Sequence, residues 1–411
     1  MAKVRDKKYD LREIARRIEE VKKNEAGQPA AFEGFAIHEI YSILDSAVEF
    51  HPEIPDADKQ RLIRKGVHTS AANSEINAEN LLTQINQAER EYLSVRPSNF
   101  VLATSISVAF FAELKKAGVN GSAITFSRQL PANFKRTEIQ EDIEKVIEIK
   151  NAHRFTQVRV SVKARTNASA VNDAMFNLDY LRGLWNFLVN QRTRVQFLIG
   201  QQKPRPINQI VLGPIHTLHL PKGMLATEEF WYQSQDLQYD RLYRISLVWP
   251  DVRNREAKIR RKLNRISYSK EIVRWFVRYV RALDSTDADV SFNRLWAVLE
   301  QLSQSPGKYE QLIRRVLFLV DKDERDYCLL VLGHLRDVRN GLVHDDRSRS
   351  EMRTYVFQLK WFIEQIFRYH ISMGDSFESL SESCDFLDLP YGVNVLQEKV
   401  ALYQKALRFR K

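Results

Sequence analysis

Between Ser269 and Ser372 apolar residues return every three or four positions with almost no break, and this regularity constrains the fold more than any other feature of the chain. The spacing predicts helices near 270–283, 289–304, 308–320, 324–339 and 349–372, joined by connections short enough for a bundle. Ile272, Phe276, Val280 and Leu283 share one side of the first segment, and Leu329, Leu332, Leu335 and Val338 one side of the fourth. Met352, Val356, Leu359, Ile363, Ile366 and Ile371 are expected to be the buried side of the fifth. Asp284, Asp287 and Asp289 read as caps that favour the positive end of the next helix rather than as cation ligands. A last amphipathic helix, Val393 to Leu407, is expected to cover either the bundle or a dimer seam.

The rest of the chain reads differently. At 411 residues it exceeds one ordinary core, and two or three domains are expected. Leu11, Ile14, Ile18 and Val21 mark a helix, and Phe35–Phe50 and Ser74–Leu93 supply two more, separated by a turn region at Pro52 and Pro55. Farther on, Phe100–Val108 is rich in β-formers, and Val158, Val160 and Val162 alternate with Arg159, Ser161 and Lys163 as in a half-buried strand. The helix that follows buries Val171, Leu178, Leu181, Trp185 and Leu188; Val195–Ile199 is expected to be another strand, and Ile207–Leu220 extended chain. The expected class is α+β, with a helical region at 1–95, a mixed α/β sensor or regulatory domain at 96–265 and an all-α bundle at 266–411.

Composition narrows the function classes. Residues are 44% hydrophobic and 28% charged, as in globular proteins, and the longest apolar-leaning run, Phe100–Ala112, is too short to span a bilayer. Met1–Arg17 is charged and lacks the apolar core of a signal segment, and the two cysteines, Cys328 and Cys384, form no disulfide framework or thiolate zinc set. A soluble, cytoplasmic protein without a membrane partner is expected. His216 and His219 lack a third ligand at metal spacing, no Gly-rich phosphate loop is present, and no carboxylates cluster as in a two-metal nuclease. Neither a cofactor nor a metal is therefore expected.

Two features point to RNA. The first is Arg339-Asn340-Gly341-Leu342-Val343-His344, set between two long amphipathic helices. Asn340-Gly341 is a helix-ending pair, and Ser348 with Glu351 forms a capping box that starts the next helix. The junction brings together a permanent cation whose fork matches phosphate and an imidazole that exchanges a proton near its ordinary pKa of about 6.5. Spacing alone is not distinctive, because Arg61 and His68 repeat it, and a helix-boundary histidine with a satisfied partner carries about equal weight. The second feature is charge. Between Arg241 and Arg281 thirteen basic residues face three acids, nearly the whole net charge of +11. Arg260, Arg261, Lys262, Arg265, Arg274, Arg278 and Arg281 are the candidate RNA-binding residues, since neutralising phosphates releases counterions. Tyr243, Trp249, Tyr268, Trp275 and Tyr279 lie among them and are read as facing the core more than as stacking on bases.

Arg-Asn-x-x-Val-His before a last long helix resembles the HEPN superfamily, in particular the Apea-like HEPN proteins of bacterial defence loci. Phe292-Asn293-Arg294-Leu295-Trp296-Ala297-Val298-Leu299-Glu300-Gln301-Leu302 is similar to the first helix of that domain, and Val158–Trp185 is similar to the region that precedes it. The likeness covers the last 140 residues or so well, the middle more loosely and nothing of the first 95. It implies a dimerising four-helix core and a metal-independent endoribonuclease in which a 2′-hydroxyl attacks the adjacent phosphate, leaving a cyclic phosphate end. On that resemblance His344 is the acid/base, Arg339 the phosphate and transition-state clamp, and Asn340 an orienting group, with Glu300 as a supporting residue; Asp345, next to the His, is a further candidate for support. It also implies antiviral defence, with tRNA or another cellular RNA as substrate, a homodimer or higher homo-oligomer, and a viral protein or other trigger. Many relatives carry Gly directly after the His; here Asp345-Asp346 follow, and two carboxylates repel RNA unless Arg347 or Arg349 pairs with them. A non-catalytic HEPN module that only binds RNA or regulates is the alternative, and a helical interaction protein with an accidental match is a third.

Overall fold

The computed structural model describes residues 2–5, 9–23, 31–32, 34–73, 76–146, 154–190, 205–232, 242–341 and 349–410. Near the start, short strands β1 (Lys3–Val4), β2 (Lys22–Lys23), β3 (Ala31–Phe32) and β4 (Val48–Glu49) pair as β1 with β4 and β2 with β3. They brace four helices, α1 (Leu11–Val21), α2 (Gly34–Ala47), α3 (Asp56–Asn73) and α4 (Ala78–Ser94). Asp10 caps α1 by accepting from the Arg12 amide, and Asn77 caps α4 by accepting from the Asn80 amide. Ile18, Leu44, Ile63, Val67 and Ile85 meet in a core built wholly from residues 2–92. α3 has no counterpart among the helices expected from the sequence. That helix buries few large apolar residues and carries Gly66 at its centre, which reads as a breaker. Gly66 has a packing reason instead, since a Cβ there would lie 2.9 Å from the Cα of Ile85 on α4.

The fold is mixed α/β, with one six-stranded antiparallel sheet. Its strands are β5 (Ser98–Ala109), β6 (Lys116–Val119), β7 (Ser122–Ser127), β8 (Phe155–Ala164), β9 (Ile215–His219) and β10 (Leu225–Tyr232), in spatial order β10-β9-β5-β8-β7-β6. The β6–β7 hairpin, absent from the sequence reading, turns at Asn120-Gly121 with φ of 46° and 80°, a two-residue turn whose twist suits the strands. Phe100 faces Val162, Leu102 faces Val160 and Thr104 faces Val158, so the alternating valines of β8 lie against the long central strand. Of Ile207–Leu220 only Ile215–His219 is a strand, and Val195–Ile199 lies outside the described residues. Two helices belong to this part, α5 (Glu138–Val146) and α6 (Asn167–Val189). Thr166 caps α6 by accepting from the Ser169 amide.

After the sheet come α7 (Trp249–Leu263), α8 (Ser269–Asp284), α9 (Ala288–Leu302), α10 (Tyr309–Leu317), α11 (Arg325–Gly341), α12 (Arg349–Met373), α13 (Leu380–Phe386) and α14 (Val393–Phe409). α6 packs on β5 and β8 on one side and on α8 on the other, which is why nearly every residue of its second half is buried. α8 packs on α9, and α9 on α12. One continuous apolar core therefore runs from Phe100 on the sheet to Cys384, and Leu263 and Ile266, on either side of position 265, both belong to it. Asp287 caps α9, accepting from the amides of Asp289 at 2.8 Å and Val290 at 3.0 Å, whereas Asp284 accepts from the buried Arg182. Leu329 is an exception to the expected inner side of α11: it is exposed, as are Tyr327 and Leu330. α14 buries no residue and leaves Val393, Val400, Tyr403 and Leu407 open. Among the described residues no helix is long and apolar enough to cross a membrane.

Candidate functional site

Arg339 and Asn340 lie in the last turn of α11, at the negative end of the helix dipole. A cation in the last turn suits that field, while a phosphate there needs a side-chain cation to hold it. Both residues are exposed and both bind one hydroxyl. Arg339 Nη1 donates to the Tyr309 oxygen at 3.1 Å, and the Tyr309 hydroxyl donates to Asn340 Oδ1 at 3.1 Å. Tyr309 begins α10 and is half-buried, its ring lying 5.8 Å from that of Trp296 on α9. Trp296 is buried and donates its indole N–H to Glu300 Oε1 at 3.0 Å. The Arg336 guanidinium sits 5.7 Å from the Tyr309 ring centre, one turn before Arg339.

Three of the expected site residues, Arg339, Asn340 and Glu300, thus belong to one chain of contacts that runs from α9 through Tyr309 to the end of α11. His344 and Asp345 fall within 342–348, outside the described residues, as do Asp346 and the cap at Ser348. Tyr309 and Trp296 are the members that carry the contacts, and sequence reasoning misses them as site residues. A tyrosine opening a helix has no motif around it, and Trp296 reads as part of an apolar stripe.

The basic segment divides into two kinds of residue. Arg260 donates to Glu256 Oε1 at 3.1 Å and to the Gly118 carbonyl, tying α7 to the edge strand β6. Arg281 donates to the buried Asp179 at 2.7 Å. These two of the seven candidate RNA ligands have partners within the fold. Arg261, Lys262, Arg265, Arg274 and Arg278 are exposed, and none has a carboxylate in ion-pair reach among the described residues. Arg278 lies over the Trp275 ring at 4.7 Å. Of the interleaved aromatics Tyr268, Trp275 and Tyr279 are buried, while Tyr243 and Trp249 are half-buried.

The two histidines set aside as ligands are buried sheet residues. His216 Nδ1 lies 2.6 Å from the Thr104 hydroxyl, and His219 Nε2 lies 2.9 Å from that of Thr217. Burial pushes the His216 imidazole down to about 4. Comparison of the chain with family models, with curated proteins and with solved structures gives no match.

Proposed function

We propose that the chain is a metal-independent endoribonuclease of HEPN type that acts as a homodimer, its site formed by Arg339, Asn340 and His344. The observation that carries the reading is the shared Tyr309 hydroxyl, which fixes Arg339 and Asn340 together immediately before the segment that bears His344. His344 takes the proton of a ribose 2′-hydroxyl, the oxygen attacks the neighbouring phosphorus, and the bond to the 5′-oxygen breaks as that oxygen takes a proton from the protonated His344 imidazole of the second copy in the dimer. Arg339 balances the charge that gathers on the non-bridging oxygens. The products are a 2′,3′-cyclic phosphate and a 5′-hydroxyl end. Cellular RNA such as tRNA is the proposed substrate, in a defence response released by a viral or other trigger. The open basic side of α7 and α8 supplies affinity for the rest of the strand.

The test is incubation of total RNA, with EDTA present, with the unaltered protein, His344→Ala and Arg339→Ala, followed by analysis of the new ends. Cyclic phosphate ends from the unaltered protein alone support the proposal; equal cleavage by all three proteins overturns it. The five cations on α7, α8 and the link between them, without carboxylate partners among the described residues, favour a second reading, a binding module without catalysis. It predicts salt-sensitive RNA binding that survives both substitutions and yields no new ends.

A further inference from the structure

We infer that the cleft between the edge strand β6 and α7 binds a phosphorylated nucleoside. The cleft has a volume of about 420 Å³, within the roughly 300–1,000 Å³ of small-molecule sites. Its inner wall is aromatic, formed by Phe126 of β7, Trp185 of α6 and Trp249 at the start of α7. Trp249 is held in place by edge-on contacts with Phe111 at 5.4 Å and Trp185 at 5.5 Å. Its rim is cationic, with Lys116 on the strand and Arg253, Arg260 and Arg261 on the helix.

Charge selects the ligand. Glu256 is the single carboxylate of the lining, and it already accepts from the Trp185 indole at 3.0 Å and from Arg260 at 3.1 Å. Arg260 closes one side of the cleft through its bond to Gly118. Lys116, Arg253 and Arg261 have no carboxylate in ion-pair reach among the described residues, so three cations surround one small space without counter-charge. One carboxylate cannot hold a cation against them, and an uncharged apolar ligand leaves them unbalanced. A phosphate answers the cations through charge-assisted hydrogen bonds, and a base answers the aromatic wall at Trp249, its half-buried member, with Phe126 and Trp185 buried behind it. The Asn264 amide, also in the lining, offers both a donor and an acceptor to a base edge.

The ligand is either a free nucleotide or the phosphorylated end of an RNA strand. The full-length protein is titrated with AMP, GMP, CMP and UMP, and with a 2′-O-methyl tetranucleotide with and without a 5′-phosphate, following tryptophan fluorescence. A saturable change with at least one phosphorylated probe is expected. Lys116→Ala with Arg253→Ala, both exposed and without carboxylate partners among the described residues, weakens it at least roughly tenfold, while Arg294→Ala on α9 leaves it unchanged. Tighter binding of a monophosphate supports a free nucleotide, and tighter binding of the phosphorylated tetranucleotide supports a strand end. No response to any probe at millimolar concentration overturns the inference, as does binding indifferent to the double substitution or to removal of the 5′-phosphate. The measurement involves no RNA cleavage, so its failure and the failure of the nuclease proposal are separate results.

Discussion

Arg182 offers the sharpest test of a core shared by sheet and helices. It is fully buried on α6 and donates to Asp179 at 2.5 Å, Asp284 at 2.9 Å and the Ile210 carbonyl at 3.0 Å. Arg182→Met keeps an apolar stem of similar length and removes the charge. Breaking a buried ion pair from one side costs roughly 3–5 kcal/mol, because a buried charge is left uncompensated. Here each acceptor keeps another donor: Arg281 on Asp179 at 2.7 Å, Asn208 on Asp284 at 2.7 Å and Asn186 on Ile210 at 2.9 Å. The loss therefore falls at the lower end, about 3 kcal/mol, which lowers the urea midpoint by about 1 M. All six tryptophans lie at or beyond position 185, so their fluorescence follows the core that contains Arg182, while far-UV circular dichroism follows the whole chain. Adding Asp179→Asn removes a buried carboxylate left with the exposed Arg281 as its remaining cation, so the double variant is expected to be no less stable than Arg182→Met alone. A midpoint unchanged within about 0.3 M, or losses that simply add, would refute the reasoning.

Three further outcomes are expected. Tyr309→Phe removes two hydrogen bonds at an exposed site, each worth about 0.5–1.5 kcal/mol, and lowers RNA cleavage about three- to tenfold with folding intact. An unchanged rate, or one as low as that of Arg339→Ala, contradicts a positioning role. Burial pushes His216 and His370 down to about 4, below the unfolded value of about 6.5. Their contribution is complete above that value and is lost as pH falls toward 4, because the unfolded chain takes up the protons first; each removes about 2 kcal/mol by pH 5. Urea unfolding at pH 7.5 and 5.0 measures this, and His370→Gln should remove about half of the two-histidine loss. Replacing Lys262, Arg274 and Arg278 by Ala should reduce the salt slope of single-stranded RNA binding by about 2, from roughly 0.7 per phosphate contact; an unchanged slope places the strand elsewhere.

The long amphipathic helices were legible because their buried sides repeat without interruption: Met352, Val356, Leu359 and Ile363 are all buried on α12. α7 was not, since Val252, Ile259 and Leu263 are widely spaced among cations that read as a charge block rather than a helix. The β6–β7 hairpin carried its signal in Asn120-Gly121, flanked by a strand too short and too glycine-rich to stand out. At the candidate site the sequence supplied Arg339, Asn340 and Glu300 but not the tyrosine that links the first two. Contacts of that kind depend on where α10 starts relative to the end of α11, and no local pattern encodes it. Glu256 four residues before Arg260 is a local signal for one of its contacts, whereas Gly118 and Asp179, the other partners of Arg260 and Arg281, come from distant parts of the chain and leave no mark in the spacing.

The sheet's topology also sets an order of assembly. Thr104 on the long central strand meets His216 across a separation of 112 residues, so the strand waits for its second neighbour until more than a hundred further residues have been made. The core of residues 2–92 has no such delay, because its buried apolar members all come from one contiguous stretch, and polar and cation–ring contacts such as Thr166 with Asp58 and Arg165 with Tyr92 wait for the later chain. On a ribosome the leading segment can close first, while Leu102, Ile106 and their neighbours stay reactive toward other chains until β9 arrives.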